Sequence, residues 1–108
     1  MTTEDISKVT VSGFNLEPVE MKLVNIIIGH YESKIKNHVG YEEIKLTLKK
    51  SEHGKIFLHE IRGSLVLNNR EMLNAEAADY NLFHALSEVF DKLLSEAEHK
   101  SRTSRQKK

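Results

Sequence analysis

The stretch "NAEAADYNLFHALSEVFDKL", residues 74–93, changes its hydrophobic period part-way, and no other feature constrains the fold as tightly. Up to Ala78, small residues alternate with polar ones, as on a strand with one buried face. Beyond Asp79 the apolar positions move to helical spacing. Leu82, Leu86, Val89, Leu93 and Ala97 form one seam, widened by Phe83, Phe90 and Leu94. A seam that wide must be covered. Ala75, Ala77 and Ala78 are too small to hold a helix away, so the helix is expected to fold back closely over its own strand. Asp79 is expected to cap it by accepting N–H groups of the next turn.

The upstream pattern supplies the rest of the covering. In "EEIKLTLKK", Ile44, Leu46 and Leu48 alternate with Lys45, Thr47 and Lys49, which reads as a half-buried strand. Residues 51–54 read as a turn, with Gly54 at positive φ. "IFLHEIRGSLVL" is a second strand with Ile61, Gly63, Leu65 and Leu67 on one face. Residues 68–71 make a tight connection, with Asn at the left-handed position. "MLNAEA" returns with Leu73, Ala75 and Ala77 inward. A short β-branched run over 6–13 makes a further strand, and residues 1–5 are expected to lack fixed structure. Pro18 suits a first helical position, with Glu17 or Asn15 as cap. From Val19 the apolar spacing 19, 23, 26, 27, 31, 35 predicts a helix with Ile26 and Ile27 facing the core, ended by Gly40 after His38. The order is β-α-β-β-β-α. It predicts an α+β two-layer sandwich: a four-stranded sheet with two helices on one face and a polar opposite face.

A chain of 108 residues is one domain by length. It has no Cys, which excludes disulfides and thiolate metal sites. "MTTEDISK" lacks a basic segment followed by an apolar one, so no signal peptide is expected. The longest apolar run, Ile26-Ile27-Ile28, is far short of a membrane span, and a cytoplasmic protein is expected. The net charge of zero conceals an asymmetry. Past His99 the chain reads "KSRTSRQKK", with five cations and no acid. Without those five, eleven Lys and Arg face sixteen Asp and Glu. The expected division is therefore an acidic body over 1–98 and a basic, disordered tail over 99–108.

Catalytic chemistry finds little support. The glycines are isolated, no Ser lies in a nucleophile-elbow context, and the six histidines lack local metal-ligand spacing. His30 and His84 read as interface histidines on the helices. Glu42-Glu43 and Glu96/Glu98 lack an evident pocket to raise a pKa. No enzyme, catalytic residue, metal, cofactor or small-molecule substrate is expected.

The polar sheet face is more informative. It is expected to carry Lys8, Thr10, Ser12, Lys45, Thr47, Lys49, Arg62, Ser64, Asn74 and Glu76, with no aromatic base-stacking platform. Such a face is either a solvated surface or a place for RNA backbone, with cations on phosphates and hydroxyls on ribose. Lys22, Lys34, Lys36 and Lys92 on the helices add to that surface, and Lys100, Arg102 and Arg105 follow in the tail.

Order and motifs together resemble the ribosome hibernation-promoting factor family in its short, single-domain form, across roughly residues 6–100. The resemblance rests on "VTVSGFNLE", on "EEIKLTLKK" and above all on the stretch that closes with Asp79-Tyr80, Ala85 and Asp91-Lys92-Leu93. It implies a translation inhibitor that binds the small ribosomal subunit in the decoding channel. Its RNA-binding residues would be Lys8, Lys22, Lys34, Lys45, Lys49, Arg62, Lys92, Lys100, Arg102 and Arg105. Where the family tends to Arg and Gln after the Asp-Lys-Leu, this chain has Ser95 and Glu96. The dimerisation domain of the long form is not expected here, and a monomer or weak homodimer is expected. The alternative is a protein–protein interaction module of the same fold with no ribosome binding.

Overall fold

A computed structural model describes residues 8–106, with side chains as far as Ser101. The elements are β1 (Val9–Ser12), α1 (Pro18–Lys36), β2 (Tyr41–His53), β3 (Ile56–Leu67), β4 (Met72–Asp79) and α2 (Leu82–Gln106). The four strands lie in the order β1-β2-β3-β4, with β1 parallel to β2 and the remaining pairs antiparallel. The chain crosses from β1 to β2 through α1, as a parallel neighbour requires. The expected α+β sandwich is the one observed.

The core is continuous between the sheet and both helices. Ile44, Leu46, Leu48, Ile61, Leu65 and Leu73 meet Leu82, Leu86, Val89, Phe90 and Leu93 of α2 and Val24, Ile28 and Ile35 of α1. Each large side chain buried in this way contributes about 1.5–3 kcal/mol. Gly63 lets α2 sit close to the sheet, because a Cβ there would come within 2.7 Å of Val89 Cγ1. Tyr31 ties the helices together: its ring stacks on Phe90 at 5.1 Å and its hydroxyl donates to Asp91 at 2.7 Å.

Several local expectations need correction. The fully buried face of α1 is Val24, Ile28 and Ile35; Ile27 is half-buried and packs against that core as expected, while Ile26, expected inward, is exposed together with Val19 and Leu23. Two apolar stripes run along this helix. The one continued by Tyr31 and Ile35 meets α2, so it wins the core. The helix stops at Lys36 with Asn37 as its C-cap in right-handed geometry. Gly40 comes later, beside Asn68, whose N–H donates to the Gly40 carbonyl at 3.2 Å. At the other end Glu17 is the N-cap, and its N–H is taken by the Glu20 carboxylate at 3.2 Å.

The β2–β3 hairpin is longer than its alternation suggests, since residues 51–53 continue β2 and only Gly54 and Lys55 turn. In the next connection the positive φ falls on Arg70, at 75°, and on neither Asn. The cap of α2 is Asn81, which accepts from the N–H groups of Phe83 and His84 at 2.9 and 3.1 Å. Asp79 accepts from the Asn81 N–H instead, at 2.8 Å, and this bond holds its carboxyl below the ordinary range. The change of composition at His99 is not an element boundary, because α2 runs through it to Gln106. The expectations for residues 1–5 and for Ile6, Lys107 and Lys108 lie outside the described residues.

Candidate nucleic-acid interface

Strand alternation puts every second residue of β2, β3 and β4 on the face away from the helices. Cross-strand register then arranges that face in rows. One row runs Thr10, Lys45, Ser64, Asn74; the next runs Ser12, Thr47, Arg62, Glu76; a third sets Lys49 beside Glu60 and Ala78. The predicted polar residues other than Lys8 therefore share one surface, and Lys45, Thr47, Lys49 and Arg62 are all exposed.

The acids on this surface are what sequence reasoning underweighted. Glu76 lies 3.7 Å from the Arg62 guanidinium, and Glu60 faces Lys49 across the β2–β3 ladder. Glu43 accepts from the Thr10 hydroxyl at 2.7 Å. Lys45 is flanked by hydroxyls, with Thr10 on one side and Ser64 on the other. Ser64 itself donates to Asn74 Oδ1 at 2.7 Å. The face is thus mixed in charge, with cations and hydroxyls interleaved.

A groove of about 510 Å³ gathers part of the set, including Thr47, Lys49, Arg62 and Lys92 together with Glu60 and Glu76. Lys92 reaches over the β4 edge from α2. Its ammonium donates to the Glu76 carbonyl at 2.7 Å and lies 3.6 Å from Glu88. Of the predicted cations, then, Lys49, Arg62 and Lys92 come together, with Lys45 in the adjoining row.

The others lie elsewhere. Lys8 immediately precedes β1, donates to the Tyr41 carbonyl at 3.3 Å and stands 5.2 Å from the Tyr41 ring centre. Lys22 and Lys34 are exposed on α1, in the helical layer, and Lys34 lies over the Tyr31 ring at 5.7 Å. Lys100 is tied to Glu71 at the β3–β4 connection, and its ammonium is the main cause of the lowered Glu71 pKa. Arg102 and Arg105 fall on the last turns of α2, where only the backbone is described.

The long hairpin adds residues that the sequence reading left out. Lys50 lies 5.7 Å from the centre of the exposed Phe57 ring near the end of the hairpin, and Lys55 stands in its turn. Tyr80, also exposed, meets the His53 ring edge-on at 6.2 Å. The signal was the unbroken run from Tyr41, which takes β2 past the residues read as a turn. His30 and His84 are exposed rather than interfacial, and His84 Nδ1 lies 3.3 Å from Asp79. Among the described residues no three His, Cys, Asp or Glu side chains gather as a metal site, and no helix is long and apolar enough to cross a membrane.

Comparison with solved structures gives this geometry a context. The chain superposes on the Thermus thermophilus Protein Y N-terminal domain with a TM-score of 0.54 and 19% identity, covering 83% of this chain and 93% of that one. It also superposes on a ribosomal subunit interface protein from Coxiella burnetii with a TM-score of 0.59 and 13% identity, covering 87% and 97%. The chain has their fold. It is the fold that the hibernation-factor resemblance implies, traced over nearly the whole of both neighbours. By sequence, no protein-family model and no curated protein matches.

Proposed function

We propose that the chain is a ribosome-binding translation inhibitor that occupies the decoding channel of the small ribosomal subunit through contacts with rRNA backbone. The observation that carries this reading is the shared fold with the two neighbours, one of them a ribosomal subunit interface protein. The open sheet face supports it with the right chemistry. Lys45, Lys49, Arg62 and Lys92 are the phosphate-binding set, and Thr10, Thr47 and Ser64 are placed to meet ribose hydroxyls.

In this reading Lys8, Lys22 and Lys34 add contacts from the flanks, and Lys100, Arg102 and Arg105 add them from the basic segment over 99–108. The interspersed Glu43, Glu60 and Glu76 limit how many phosphates one face can neutralise. Fit to a channel then matters as much as charge. Inhibition of this kind is occupancy: a compact wedge excludes mRNA and tRNA, with no bond made or broken. It needs no cofactor, and its place is the cytoplasm.

Sedimentation of ribosomal subunits with the purified protein tests the reading. Co-migration with small subunits at low salt, released as salt is added, is the expected result. A protein that stays at the top of the gradient at low salt refutes it.

A further inference from the structure

Beyond Lys49 the open face of the sheet ends in rings rather than charges. Lys49, Ser51 and His53 alternate along the last stretch of β2, and on β3 Leu58 and Ile56 oppose Ser51 and His53. On the far side of β3, Tyr80 continues the alternation of Asn74, Glu76 and Ala78. β2 and β4 stand two strand spacings apart, about 9.5 Å. The His53 and Tyr80 ring centres are only 6.2 Å apart, so the rings lean towards each other across β3, on the side of Ile56 and the half-buried Leu58. They meet edge-on at 84°, which takes at most one face of one ring. Tyr80 is 53% exposed, and His53 is exposed as well.

The charges on this same face select the occupant. The row next to Tyr80 holds Lys49, with Glu60 opposite, and the row after it holds Arg62, with Glu76 at 3.7 Å. Two residues along a strand span about 7 Å, so one cation lies a single row from the ring and the second two rows away. Among the described residues the two rows that carry the rings hold no acid, because Glu52 and Asp79 alternate onto the helix side. A lone ring on a surface is ordinary. Two rings in contact, at the end of a file of cations, are the combination that holds single-stranded nucleic acid: bases lie on the rings and backbone runs along the charges. A helical duplex cannot use the rings, since its bases are already stacked within it.

We propose that Tyr80, with His53 beside it, is a stacking platform for an unpaired RNA base, and that Lys49 and Arg62 take the phosphates of the strand as it continues over the sheet. The ligand is thus a single strand rather than a helical segment. This narrows the ribosome reading, on which the choice of RNA over DNA rests, to rRNA with a base splayed out at the hairpin end. Strand alternation from Ile44 to Lys49 shows no such platform. The rings reach the face because β2 runs on to His53 and Tyr80 extends the line of β4.

Binding of a labelled RNA without self-complementarity, free and annealed to its complement, tests the proposal with the full chain. The single strand should bind more tightly than the duplex. Tyr80→Ala should weaken single-strand binding at least about fivefold, leave duplex binding in place and leave the circular-dichroism melt where it is. It should not alter the slope of log K against log salt, whereas Lys49→Ala should reduce that slope. The chain has no Trp, so Tyr80→Trp supplies a single reporter. That variant should bind at least as tightly as wild type, with its fluorescence quenched by the single strand and not by the duplex. No single-strand binding at low salt, equal binding of strand and duplex, or indifference to Tyr80→Ala overturns the platform. If small subunits then bind the Tyr80→Ala protein as they bind wild type, the ribosome reading still stands. Tyr80-dependent RNA binding without co-migration with subunits keeps the platform and removes the ribosome reading. A protein partner that survives nuclease treatment and is lost on Tyr80→Ala, with no RNA bound, gives the rings to a protein and overturns the proposal.

Discussion

The two helices spend their apolar residues differently. On α2, Leu82, Leu86, Val89, Phe90, Leu93 and Ala97 are all buried in one seam against the sheet. On α1, Val24, Ile28 and Ile35 are buried, but Val19, Leu23 and Ile26 face outward. Folding alone accounts for the first pattern. It does not account for the second, because an exposed aliphatic contributes little to the stability of a lone chain. The contrast separates residues that build the core from residues that the fold leaves at the surface.

Substitutions along the two helices can break that contrast. The largest loss is expected for Phe90→Ala, about 3–5 kcal/mol in urea unfolding, since this fully buried ring also stacks on Tyr31. Next is Gly63→Val, expected to cost about 1–3 kcal/mol and lower the melting temperature, because the added atoms meet Val89 and Leu93. Asn81→Ala removes the acceptor for two N–H groups and should cost about 1 kcal/mol, more than the same change at Asp79. Ile26→Ala should stay within about 0.5 kcal/mol when measured well below any association. A loss there as large as that at Phe90 would put the outer stripe in the core and erase the contrast.

The smallest effect concerns the far end of α2, where Lys100 meets Glu71. That ion pair, with help from Asn69, holds the Glu71 carboxyl below the ordinary glutamate range. A depressed folded pKa gives stability that is present above the unfolded value and is lost as pH falls through the folded one. Wild type should therefore lose slightly more stability than Glu71→Gln between about pH 5 and pH 3, with added salt shrinking the difference. Equal losses would mean that Lys100 does not help to hold α2 down.

The architecture was legible because period and small residues act locally. The switch at Asp79, the alternation from Ile44 to Leu48 and the position of Pro18 each stand in one short window. The face of α1 was not legible in that way. Two apolar stripes are both helical, and only the packing of Tyr31 and Ile35 against α2 chooses between them. The N-cap was misplaced by two residues, because Asp79 and Asn81 are both good acceptors and the turn between them decides which serves the helix. At the candidate interface, the cations of the sheet were readable from strand alternation. Glu76 was readable in the same way, but its pairing with Arg62, and that of Glu60 with Lys49, was not, since both require the register across strands.

Equilibrium binding of the full chain to purified small ribosomal subunits, as a function of salt, tests the central claim most directly. Binding should weaken steadily as salt rises. The slope of log K against log salt should shrink by roughly one for each phosphate-binding cation removed, in Lys49→Ala and again in Arg62→Ala. No binding at low salt, or a slope unchanged by removing both cations, would contradict the account.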